Sequence, residues 1–125
     1  MRNLLLALIV GSASQASLAA GNVLYFACPA LDKKADDLVV TLDQANGTAS
    51  LQTSKSGSGL NFTSPAAFGP KEVTWRNQSS SYPQKFSIDR TSLELKRETT
   101  SGMSGTLYIE KSPCSIIKAP SNTKF

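Results

Sequence analysis

The sequence predicts an all-β fold: a small antiparallel meander of six to eight strands, rolled into a closed or partly open barrel. A two-sheet sandwich is the alternative arrangement. Three observations predict it. Apolar residues alternate with polar ones in twos over most of the chain after Gly21. Turn residues punctuate that alternation every ~8–12 residues. No stretch after Gly21 sustains an apolar 3.6-residue period, although Ala30 to Leu38 has room for one helical turn. The barrel is favoured because it hides strand edges and brings two cysteine-bearing chain ends together.

Residues 1–19 read as a signal peptide. Arg2 supplies a short basic start, Leu4 to Val10 is an unbroken apolar run, and a stretch of small residues follows. Ser17 and Ala19 occupy the −3 and −1 positions for cleavage after Ala19, and cleavage after Ala16 or Ala20 also fits. The apolar run would span only ~10 Å as a helix, against ~30 Å of hydrocarbon in a bilayer. Residues 20–118 then form a single β domain, and 119–125 a C-terminal tail.

Each strand has its own signature. Val23 to Cys28 is a short apolar and aromatic run. Asp37 to Asp43 alternates, with Leu38, Val40 and Leu42 on one face. Asn46-Gly47 is a strong hairpin signal, and Thr48 to Thr53 returns with Ala49 and Leu51 inward. Ser54 to Gly59 is a flexible loop. Leu60 to Phe62 has the makings of a short strand. Ser64 to Pro70, with two prolines and a glycine, reads as a connection or a broken edge strand. Glu72 to Arg76 places Val73 and Trp75 on one face, and Lys85 to Asp89 places Phe86 and Ile88 inward. Arg90-Thr91 makes a tight turn. Ser92 to Glu98 alternates with Leu93 and Leu95 inward. Thr99 to Gly105 is a loop, and Thr106 to Lys111 puts Leu107 and Ile109 on one face. Ser115 to Lys118 is a last short strand.

Exactly two cysteines, Cys28 and Cys114, in an exported chain read as one disulfide. Such a bond clips the first strand to the last. In the chain-entropy model a loop of this length gives roughly 4.6 kcal/mol of stabilisation.

The chain has 125 residues, 13 basic and 9 acidic, and no histidine. Removing Arg2 with the leader leaves 12 basic residues against 9, or +3. The basic pairs Lys33-Lys34 and Lys96-Arg97 have acidic neighbours, so both read as solvated edges and loops, and no nucleic-acid face is expected. Without histidine, Ser-His-Asp and Cys-His catalysis are excluded, together with most zinc and copper sites. No carboxylate spacing marks a hydrolase pair. The sequence points to no enzyme activity, no cofactor and no metal. After Gly21 it also lacks the lipid-facing positions of a membrane barrel, so no membrane insertion is expected once the leader is removed.

Six residues stand out as candidate binding positions. Trp75, the only tryptophan, belongs to the core or to a binding site. Asp89-Arg90 at a strand end is either a turn-fixing ion pair or a functional carboxylate with a cation beside it. Ser58-Gly59 sits in a Gly-rich loop without the strand-to-helix setting of a phosphate loop, so it reads as a mobile or partner-contacting segment. Phe62 follows that loop.

Two resemblances complete the reading. Val73-Thr74-Trp75, Phe86-Ser87-Ile88-Asp89-Arg90, the early Cys28, the late Cys114 and the Lys124-Phe125 end resemble small exported β-proteins of proteobacteria and their phages, a family with no function to carry over. Tyr25-Phe26-Ala27-Cys28 and Ser58-Gly59-Leu60-Asn61-Phe62 resemble pieces of periplasmic C-type lysozyme inhibitors, which are small one-disulfide β-barrels. That likeness implies Ser58 as the inserting residue, and Pro65 to Pro70 departs from it. The expected function is a non-catalytic binding module of the periplasm or extracellular space, whose partner is a protein or a small ligand. The alternatives are an inhibitor of lysozyme, or a structural protein of the cell envelope or a phage particle.

Overall fold

The computed structural model describes residues 23–77 and 81–120. The expected leader at 1–19 and residues 121–125 of the expected tail lie outside the described residues. Nine antiparallel strands make up the fold: β1 (Val23–Ala27), β2 (Val39–Asp43), β3 (Thr48–Gln52), β4 (Phe62–Phe68), β5 (Glu72–Asn77), β6 (Gln84–Asp89), β7 (Glu94–Thr100), β8 (Leu107–Pro113) and β9 (Ser115–Ile117). The helical turn is a single 3-10 turn at Lys33–Ala35, begun by the Asp32 carboxylate, which accepts the Lys34 N–H.

Strands β1 to β8 pair in chain order, and β9 returns to pair with β1. The sheet therefore curls into a nearly closed barrel. Nine strands exceed the expected six to eight because Phe62–Phe68 forms a full strand and Ser115–Ile117 is set off from β8. Pro113 has no N–H to give a ladder, and the Cys114 N–H leaves the strand to donate to Leu93 O at 3.0 Å. Ser115 to Ile117 then crosses to β1, in register with Ala27 to Tyr25.

β4 corrects the reading of Ser64 to Pro70 as a connection or edge. Phe62 to Pro65 pairs with β3, and Ala66 to Phe68 pairs with β5. Pro65 is tolerated because it stands where the pairing with β3 ends. The next N–H, that of Ala66, reaches Gly47 O at 2.8 Å. The two sheets of the alternative sandwich are thus continuous at both corners, through β4 and through β8–β9.

The inner face carries the core. Leu38, Val40 and Leu42, then Ala49 and Leu51, then Val73 and Trp75, then Phe86 and Ile88, then Leu95 are all buried. In a strand, residues two apart share a face, so one inward apolar residue fixes the rest. Cys28 and Cys114 are bonded, with 4.4 Å between their Cα atoms. The bond joins the end of β1 to the break between β8 and β9. A disulfide is compatible with an oxidising, exported location. No helix among the described residues is long and apolar enough to cross a membrane.

Two inward positions depart from the sequence reading. Arg97 is not a solvated edge residue: it follows Leu95 on the inner face and is only 5% exposed. Its guanidinium reaches Glu110 at 2.9 Å and Asp32 at 3.2 Å. On β8 the apolar alternation faces the other way. Leu107 and Ile109 share the outer face and are half-exposed, while Ser112, three residues beyond Ile109, is fully buried and accepts the Ala30 N–H at 3.0 Å.

Candidate functional site

The two ends of the barrel are built differently. One end is plugged. The segment from Cys28 to Leu38 and the loop from Thr53 to Asn61 fold over it and bury Leu31, Ala35, Leu38 and Leu60. Polar contacts pin the two segments together. The Thr53 and Ser54 hydroxyls and the Ser54 N–H all donate to the Asp37 carboxylate, and Lys55 pairs with Asp36. The Ser54 and Thr53 bonds hold the Asp37 carboxyl far below the ordinary carboxylate range, and the Asp36 carboxylate raises the Lys55 ammonium. For Asp32 burial opposes ionisation, but the Lys34 N–H and the Arg97 guanidinium outweigh it and leave the carboxyl below its usual value.

The other end is open. Phe26, Leu42, Val73 and Ile88 form the floor and walls of a cavity of about 150 Å³, with Phe68 and Leu93 beside them. Leu24 and Ile116 stand at its mouth. Both point inward by register, since Leu24 is two residues from Phe26 and Ile116 lies opposite Phe26. Yet they remain 43% and 56% exposed. Gln44, Asp89 and Arg90 form the polar rim.

The turn that carries the rim is locally determined. Asp89 Oδ1 accepts the Thr91 N–H at 2.7 Å and the Ser92 N–H at 2.8 Å. The Ser92 and Thr91 bonds keep the Asp89 carboxyl below its ordinary value, and therefore ionised at neutral pH. The Arg90 N–H donates to Lys71 O at 2.9 Å, which anchors the turn to the neighbouring hairpin. The Arg90 guanidinium has no ion-pair partner among the described residues. Leu93 follows with φ +60°, the only non-glycine residue with positive φ among the described ones. An L-residue in that conformation costs roughly 1–2 kcal/mol, and strained backbone of this kind collects at functional sites. Here the strain aims an apolar side chain at the mouth.

The six sequence-selected residues fall in three places. Asp89 and Arg90 are at the open end. Phe62 and Trp75 meet in the core on either side of Phe86, with ring centroids 5.6 and 5.7 Å from it. Trp75 is thus a core residue, although its buried Nε1 finds no acceptor among the described residues. Ser58 and Gly59 are in the loop over the plugged end. The Ser58 hydroxyl accepts the Leu60 N–H at 3.2 Å, and Gly59 has φ +76°. The mouth residues Leu24, Leu42, Phe68, Leu93 and Ile116 were not selected from the sequence. Their signal was weak but present: an inward apolar residue directly before a polar turn, as in Leu42-Asp43-Gln44, marks a strand end where a barrel opens.

Among the described residues no group of three or more His, Cys, Asp or Glu side chains could hold a metal ion. Comparison of the chain with protein-family models, with curated proteins and with solved structures gives no match.

Proposed function

We propose that this protein is an exported, non-catalytic binding module that takes the apolar end of a small ligand into the open end of its barrel. The observation that carries the reading is the cavity beneath Leu24 and Ile116, whose inward side chains are left half-exposed around an apolar wall. Barrel mouths with apolar walls and a few polar rim groups are common ligand sites. An apolar cavity of ~150 Å³ takes a group the size of benzene. The rim then suits a polar head: the Arg90 guanidinium offers a cation, the Asp89 carboxylate beside it an anion, and Gln44 a neutral amide. The Leu93 side chain, at φ +60°, lines the same cavity. The Cys28–Cys114 bond and the leader-like residues 1–19 support export.

Native mass spectrometry of the protein from its own exported compartment tests this. The expected mass is that of the chain cleaved after Ala19, less two hydrogens, with a small organic adduct. Leu24→Trp, which fills the mouth from an exposed position, should lose the adduct and keep the fold. A bare mass in the unaltered protein would overturn the small-ligand reading. A second reading, an interaction protein of the envelope or of a phage particle, is favoured by the exposed edge of β8.

A further inference from the structure

β8 and β9 are the two end strands of the sheet, and β8, with seven residues against three, is the longer free edge. Leu107 to Pro113 pairs with β7 on one side, and no strand among the described residues pairs with it on the other. Leu107, Tyr108 and Ile109 are each about half-exposed. Natural proteins guard such edges with charge, proline or a covering loop. Here the guards stand only at the far end, at Lys111 and Pro113. The charges nearby are largely neutralised within the chain, because Glu110 is held by Arg97. Two copies could therefore approach this edge without meeting an unpaired charge between Leu107 and Ile109.

We propose that β8 pairs with β8 of a second copy, antiparallel and about a two-fold axis at Tyr108. The register follows from the side chains. A shift by one residue would set the inner face of one barrel against the outer face of the other, so only registers that keep the faces matched are available. Centring on Glu110 sets that carboxylate against its own copy and Ile109 against Lys111. Centring on Ile109 sets Leu107 against Lys111. Centring on Tyr108 sets Leu107 against Ile109 on both sides of the axis, Tyr108 against Tyr108, and Glu110 against Thr106. Of these three registers only the last gives both Leu107 and Ile109 apolar partners, and it opposes no like charges. The same sequence supplies both halves of the match, which makes the second copy the fitting partner. The contact is one short strand pair, well below the ~1,000 Å² of a stable interface, so the dimer should be reversible and concentration-dependent.

Sedimentation velocity on the mature, oxidised protein over micromolar to millimolar concentrations tests the proposal. The expected result is a monomer–dimer equilibrium whose dissociation constant rises about ten-fold or more in Ile109→Lys. Ile109 is exposed, so that variant should keep its near-ultraviolet circular dichroism. In the proposed register Tyr108→Cys brings two thiols to ~5 Å between Cβ atoms and should give a covalent dimer under mild oxidation. Thr74→Cys, on β5, should not. A monomer at every concentration, or a dimer that Ile109→Lys leaves unchanged, would overturn the proposal.

Discussion

The plugged end and the open end are made from the same strands, yet they bury their apolar residues to different extents. Leu38 and Leu60 at the plugged end are fully buried, because the segment before β2 and the loop before β4 fold over them. Leu24 and Ile116 at the open end face the same interior and stay half-exposed, because no described segment folds over them. The turn between β2 and β3 takes four residues, Gln44 to Gly47, with Gly47 at φ +65°. A loop that short cannot fold back over a barrel mouth. The difference teaches that one end of this molecule holds the fold together, while the other leaves apolar side chains half in water.

Removing the staple beside the plug should have the largest effect. Cys28→Ala combined with Cys114→Ala should lower the unfolding free energy in urea by about 4–5 kcal/mol on the chain-entropy model. Truncation then separates the two ends. Leu60→Ala or Leu38→Ala should cost about 2–5 kcal/mol, as in other fully buried sites. Leu24→Ala or Ile116→Ala should cost less than about 1 kcal/mol, since those side chains are already half in water. Equal losses at both ends would break the comparison.

Arg97→Ala should fall at the low end of the buried-site range, at about 2–3 kcal/mol. The guanidinium is buried, but Glu110 is 43% exposed at its side chain, so the pair is partly screened. Arg97→Met should recover part of the loss by refilling the space its stem occupies.

The smallest effect concerns acid. Asp37, Asp32 and Asp89 all have folded-state pKa values below the unfolded ones. Each therefore adds stability above the unfolded value, near pH 4, and loses it as the pH falls through the folded value. Stability should be flat from neutral pH to about 4 and decline below it. Asp37→Asn should weaken that decline, because it removes the most strongly shifted carboxylate, one that ties the plugging loop to the segment before β2. Melting temperatures taken at a series of pH values read both slopes.

Much of the barrel could be read from the alternation alone. β2, β3, β5 and β6 each place two or more apolar residues on one face, so their inner faces are unambiguous. β4 was not legible, because Pro65 and Pro70 mimic a loop while Pro65 in fact marks a change of pairing partner. Arg97 was not legible because a charged residue on a strand reads as solvated until its partners are known. Those partners, Asp32 and Glu110, come from distant parts of the chain. β8 misleads in the opposite sense: its apolar residues alternate properly but face outward. The mouth was half legible. Asp89 and Arg90 stand out in the sequence as charged residues at a strand end, whereas the apolar wall behind them forms only when β9 closes on β1.

The most direct measurement is methyl NMR of the isotope-labelled mature protein titrated with benzene. The account predicts saturable shifts at Leu42, Val73, Ile88, Leu93 and Ile116, with Leu31, Leu38 and Leu60 unmoved and the mouth response lost in Leu24→Trp. Shifts at the plugged end, or none at the mouth, would contradict it.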